Sequence, residues 1–245
     1  PRSTQGVSSA ASDVYERQAV IYTHAGPEIG VASTKGFLTQ VVACYLLGLY
    51  LAQVRGMKYG DEVRAIMAEL ESMPEKIQQV LDGIEPVHEL ARQMARKDGA
   101  VFFLGRHVGY PVALEGALKL KEIAYMHAEG FAAGELKHGP IAVIEQDTPV
   151  FVIVPPAGRD QLHDKVVSNI QEIRARGART IVLAEQGDET VRSFADTLVA
   201  LPRCSTLLQP LVATVPLQAF ACELATALGH DVDQPRNLAK SVTVE

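Results

Sequence analysis

The run Ala100-Val101-Phe102-Phe103-Leu104-Gly105 is apolar, has the composition of a strand, and stops at a glycine before the helical pattern Pro111 to His127. Strand, turn and helix in that order begin a βαβ unit. Three more short apolar runs, Pro149–Val154, Thr180–Ala184 and Thr197–Leu201, alternate with helical patterns over Gln161–Ala175 and Thr190–Phe194. The alternation predicts an α/β fold whose parallel sheet is covered by helices on both faces.

Upstream, Pro1–Gln18 is a polar lead-in without apolar period, and Ala19–Tyr22 is a short apolar run before the loop Thr23–Gly30. Ser33 or Thr34 is placed to cap a long helix ending near Arg55. Its uncharged part, Gly36–Val54, is strictly apolar only over Val41–Ala52. A spanning helix needs about 20 predominantly apolar residues, so a buried core helix is expected. Asp61–Ile84, interrupted by Pro74, and Pro86–Arg96 read as surface or bridging helices. Thr206–Leu228 is a mostly apolar helix that Pro210 and Pro216 should break or kink, and Gly229–Glu245 is a polar tail.

The 245 residues are 47% hydrophobic and 21% charged, with 23 Lys and Arg against 29 Asp and Glu, which fits a folded globular chain and excludes disorder, collagen and coiled coil. The formal charge of −6, with no basic cluster, leaves no electrostatic footprint for nucleic acid. Cys44, Cys204 and Cys222 have no metal-binding or disulfide-framework spacing, which favours a reducing, cytoplasmic compartment. No signal peptide is visible and no membrane partner is expected. P-loop, H-E-x-x-H, G-x-S-x-G and strand-borne G-x-G-x-x-G patterns are all missing, and no metal or cofactor is expected.

On a wheel of about 100° per residue, Ala113, Ala117, Leu120 and Ala124 share one side of the helix 111–127 and Glu115, Lys119 and Glu122 the other. The charged side is either a solvated face stabilised by i, i+3 and i, i+4 pairs or the lining of a cleft, where a carboxylate beside an ammonium can serve as general base. The loop Gly134-Glu135-Leu136-Lys137-His138-Gly139-Pro140 sets a histidine between glycines, either as an ordinary exposed residue or within reach of a ligand. Lys240 near the end is solvent-exposed unless the tail docks; buried, its amine could attack a carbonyl.

Gly30-Val31-Ala32-Ser33-Thr34-Lys35, Ala113 to Glu122, Gly134 to Pro140 and Asp231 to Glu245 occur in an order that resembles the isomerase part of the glucosamine-6-phosphate synthases, the glutamine:fructose-6-phosphate aminotransferases. The resemblance covers Ala19–Glu245. It implies flavodoxin-like sugar isomerase (SIS) domains, here one nearly complete domain plus the end of a preceding one. The boundaries it suggests are 1–58 for the remnant of the first domain, 59–91 for connecting helices, 92–235 for the second domain and 236–245 for a catalytic tail.

By resemblance, Lys240 forms a Schiff base with C2 of the open-chain sugar, Glu122 moves the proton between C1 and C2, and Lys119 assists near the hydroxyls. His138 would help ring opening from the neighbouring subunit, implying a homodimer, and the backbones of Val31 and Ala239 would touch the sugar. The family's glutaminase domain, a functional partner that supplies ammonia for amino-sugar biosynthesis, has no counterpart here, nor do its Ser/Thr-rich phosphate loops upstream of Gly26. The isolated chain is therefore expected to be weakly active or inactive. Another SIS enzyme, such as a phosphosugar isomerase or fructosamine deglycase, and a noncatalytic phosphosugar sensor are the alternatives; a sensor would need neither Lys240 nor Glu122.

Overall fold

The structure, a computed structural model, describes residues 20–95, 99–158 and 161–240. The lead-in Pro1–Gln18 and the end of the tail from Ser241 lie outside them. The chain divides into two units, residues 67–230 and residues 1–66 with 231–245.

The larger unit is built on five parallel strands, β1 (Val101–Gly105), β2 (Ala128–Ala132), β3 (Pro149–Ile153), β4 (Arg179–Glu185) and β5 (Thr197–Leu201), in the order β2-β1-β3-β4-β5. This is the α/β sheet expected from the alternating pattern. β2 was absent from the sequence reading, which carried the preceding helix to His127. That helix instead ends early, and Ala128-Glu129-Gly130-Phe131-Ala132 pairs with β1 from Val101↔Ala128 to Gly105↔Ala132 at the sheet's edge.

Side chains alternate across the sheet with the period of two that a strand imposes. Phe102, Leu104, Val150 and Val152 face one core. It is closed by Val166, Ile170 and Ile173 of helix α6 (Leu162–Arg174). Phe103 and Phe151 face the other way, stacked at 4.9 Å, and Phe151 meets Phe220 edge-on at 4.8 Å. Phe220 belongs to α8 (Gln209–Ala227), a 19-residue helix buried over most of its length. Pro210 opens it and Pro216 lies inside it without ending it, so the expected break does not occur. Burial against α5 (Gly109–Lys119) and the helices α3 (Met73–Asp82) and α4 (Glu85–Met94) holds the turn that Pro216 deprives of an N–H.

Those contacts also correct the reading of α3 and α4 as surface or bridging helices. They bury Met73, Val80, Val87, Leu90, Ala91 and Met94. Pro74 sits in the first turn of α3, where a missing N–H costs nothing. The short α7 (Glu189–Arg192) is capped by Asp188, whose side chain accepts from the Thr190 N–H.

In the smaller unit, α1 (Lys35–Val54) forms where expected, but it is not a buried core helix. Of its 20 residues only Leu49 is buried, while Leu46, Leu47, Tyr50, Leu51 and Val54 are exposed. Its length and composition alone would suffice to cross a membrane. α2 (Gly60–Glu71) follows and contains the boundary between the units.

Candidate functional site

Lys119 closes α5, and the next five residues, Leu120–Ala124, form one π-helical turn that ends at Tyr125 in the left-handed region, φ 56°. Single π turns inserted in α-helices recur at functional sites because they re-aim side chains locally. Here the turn carries Glu122, whose Oε2 lies 2.5 Å from Lys119 Nζ, while Glu115 Oε1 is 3.5 Å from the same nitrogen. One ammonium is thus shared between two carboxylates.

The face is not solvated. Lys119 is 4% exposed and Glu115 8%, whereas Leu114 and Leu118 on the same helix are 42% and 41% exposed. The helix thus buries charge and shows leucine to its surroundings, the reverse of an ordinary amphipathic pattern. Burial pushes the Glu115 carboxyl above its usual range; the Lys119 charge opposes this and the Glu122 charge adds to it. Among the described residues Glu115 Oε1 has no hydrogen-bond partner, and the 3.5 Å to Lys119 is a charge contact rather than a bond of good geometry. Sequence reasoning placed Glu115 on this face and paired it with Lys119, but did not count it among the candidate site residues. Its spacing of four from Lys119 and seven from Glu122 was the available signal.

His138 lies on the Gly134–Pro140 loop as expected and is exposed. The loop is pinned by Leu136, fully buried in the α6-side core. Lys137 reinforces it, reaching Glu172 of α6 at 2.7 Å. Burial would raise the Glu172 carboxyl, but the bonds from Lys137 and Asn169 outweigh it and hold it below the ordinary range. Asn169 continues the network to Arg106, the residue after β1, whose Nε donates to its Oδ1 at 3.1 Å. α5 packs on the opposite face of the sheet, where Phe103 lies against Gly116. The loop carrying His138 and the helix carrying Glu122 are therefore anchored on opposite faces.

In the smaller unit, Lys240 is exposed rather than buried, with side-chain exposure of 47%. Its ammonium is nonetheless held: Nζ donates to the Gly30 carbonyl at 2.8 Å and to the Glu28 carbonyl. Val31 donates its N–H to the Asp233 carbonyl at 2.9 Å, which ties the tail to this loop. Ala239, beside Lys240, is exposed. The expected Ser33 or Thr34 side-chain cap of α1 is absent. Glu28 replaces it, its Oε1 accepting the N–H groups of Thr34 at 2.9 Å and Gly36 at 3.2 Å. A cap six residues upstream leaves no local sequence signature, and Glu28 was missed.

An open cavity of about 650 Å³ at the N-terminal ends of β1 and β3, lined by His127, Asp147 and Arg179 among others, contains none of Lys119, Glu122 or His138.

Residues 93–228 match the family model of the SIS domain. The chain is 71% identical over 231 residues to the glutamine–fructose-6-phosphate aminotransferase (isomerizing) of Streptomyces coelicolor, and 65% identical over 231 residues to that of Mycobacterium tuberculosis. In both cases the match covers 94% of this chain and 37% of the relative. Among solved structures, the C-terminal domain of glucosamine-fructose-6-phosphate aminotransferase from Francisella tularensis superposes with a TM-score of 0.78 at 36% identity, covering 85% of this chain and 58% of that one.

Proposed function

Since this chain belongs to the SIS-domain family, we propose that it is the isomerase region of a glutamine–fructose-6-phosphate aminotransferase, acting on fructose 6-phosphate within a longer cytoplasmic protein that also carries a glutaminase domain. The observation that carries the reading is the buried Lys119 ammonium between Glu115 and Glu122. A carboxylate already paired and partly withdrawn from water is suited to take a proton from carbon.

In this reading the Lys240 amine adds to the C2 ketone of the open-chain sugar and water leaves, giving an imine. Ammonia then exchanges for the lysine at C2. Glu122 removes a proton from C1 and returns it to C2 while the C1 hydroxyl proton passes to the C2 nitrogen, which leaves an aldehyde at C1 and an amine at C2, the product glucosamine 6-phosphate. Lys119 steadies Glu122 and the sugar oxygens, and the backbones of Val31 and Ala239 flank the sugar. The anchoring of His138 and Glu122 on opposite faces of one sheet supports a homodimer in which His138 opens the ring in its neighbour's site.

Borohydride reduction of the full-length protein with fructose 6-phosphate tests the assignment. The expected adduct maps to Lys240 and disappears in Lys240→Ala. An adduct on Lys119 or Lys137 that survives Lys240→Ala would overturn it.

A further inference from the structure

Lys240 reaches its position through contacts that it does not make with its own neighbours in sequence. The two oxygens that hold its ammonium belong to Glu28 and Gly30, in a segment with no regular secondary structure. Such a segment keeps its path only if something fixes it. The Val31–Asp233 bond ties it to the tail, and the Glu28 carboxylate ties it to α1. Oε1 accepts the Thr34 and Gly36 N–H groups, and Oε2 lies 3.4 Å from Ser33 Oγ and 4.0 Å from Lys240 Nζ. The N-terminus of α1 is a natural seat for an anion, because its first N–H groups have no partners within the helix.

Room for the carboxylate exists because residue 36 is glycine. A Cβ there would stand 2.8 Å from Glu28 Oε2 and 2.9 Å from Ser33 Oγ. Burial alone would raise the Glu28 carboxyl, yet the helix N–H donors and the Lys240 charge hold it below the ordinary carboxylate range. The Glu28 side chain is only 17% exposed.

We propose that Glu28 is the positioning residue of Lys240: its carboxylate clamps the Glu28–Gly30 segment to the first turn of α1, and the clamped segment presents the two carbonyls that hold the lysine amine. The role deepens the reading of Lys240 as the imine-forming residue and rests on it. One residue thereby serves two ends of the unit, with its side chain on the helix and its carbonyl on the tail.

The test is competitive acylation of the amines by trace acetic anhydride at pH 8, read by peptide mass spectrometry, with the exposed Lys121 as internal reference. It is run on the wild type, Glu28→Gln and Glu28→Ala. In the wild type, Lys240 should react about 3-fold or more slowly than Lys121, because its nitrogen is engaged by two acceptors. Glu28→Ala should bring the two rates to within about 1.5-fold, and Glu28→Gln, which keeps an acceptor for Thr34 and Gly36, should fall between. Amide exchange at Thr34 and Gly36 reports the helix cap separately. Faster exchange there with an unchanged Lys240 rate would reduce Glu28 to a cap and overturn the proposal, as would equal Lys240 rates in all three proteins or a parallel rise at Lys121. Should Glu28→Ala not fold, Glu28→Gln decides on the same readout. No sugar enters this measurement, so a failure of the borohydride trap would count against the imine reading alone.

Discussion

Lys119 Nζ and Glu122 Oε2 are 2.5 Å apart across the junction where α5 passes into its π turn. Glu122 can act as a base only through its carboxylate, and the adjacent ammonium is the group that holds that carboxylate in place. Glu122→Gln keeps the shape and removes the base. In the full-length protein, exchange of the substrate C1 or C2 proton with solvent should fall by about 100-fold or more, while borohydride still traps the imine at Lys240. Undiminished exchange would return Glu122 to a structural ion pair.

Glu115 gives a pH signature. Its folded-state pKa lies above the ordinary value of 4.5 through burial, so the folded chain holds more protons than the unfolded one over the interval between the two values. Stability therefore falls as pH rises from about 4.5 through the folded value, and the cost is fully present above it. Glu115→Gln should melt higher than the wild type at pH 7, by about 2 °C, and lose the advantage in acid. Calorimetry at several pH values checks this; a variant that melts lower at pH 7 would show the carboxylate to be a net stabiliser.

Dimer dependence is testable by mixing. His138→Ala and Lys240→Ala chains, each inactive in full-length form, should regain activity when subunits exchange, because one site of the heterodimer then receives both intact residues. Proven exchange without recovery would assign His138 to its own chain's site or to none.

Two glycines should differ in cost by what a new methyl would strike. At Gly116 it would meet Leu217 and Phe103 side-chain atoms at 2.8 Å. These can shift a little, so Gly116→Ala should cost about 1–3 kcal/mol in urea unfolding. At Gly105 it would stand 2.1 Å from the Gly109 carbonyl oxygen. Backbone cannot yield that far, and Gly105→Ala should lose more than about 3 kcal/mol or fail to fold. Equal costs at both would mean that the β1–α5 turn is looser than it stands.

The parallel sheet was legible because four of its strands are apolar runs with helices between them, and such runs report burial on both faces. β2 was not, since an edge strand containing Glu129 and Gly130 has neither apolar continuity nor clean alternation. Pro216 misled because local propensity is weighed against tertiary packing, and α8 is packed on several sides. The wheel grouped Glu115, Lys119 and Glu122 correctly but could not tell a wet face from a buried one. That choice depends on what covers α5, which a helix's own residues do not encode. The exposure of α1 was hidden for the same reason.

The acceptors that hold Lys240 are main-chain oxygens, and a main chain offers the same oxygen whatever the codon. Ile29, between the two residues whose carbonyls accept from Lys240 and 85% exposed, can drift among many residue types without altering either. An electrophilic inhibitor aimed at Lys240 would meet the same pre-set amine in every variant that keeps this backbone path. Point mutations that escape it would have to act through the Glu28 clamp or through Gly30, where an added Cβ comes within 3.3 Å of the Asp233 carboxylate and would strain the tail that delivers the lysine. Resistance at this position would disturb the same backbone path that presents the lysine.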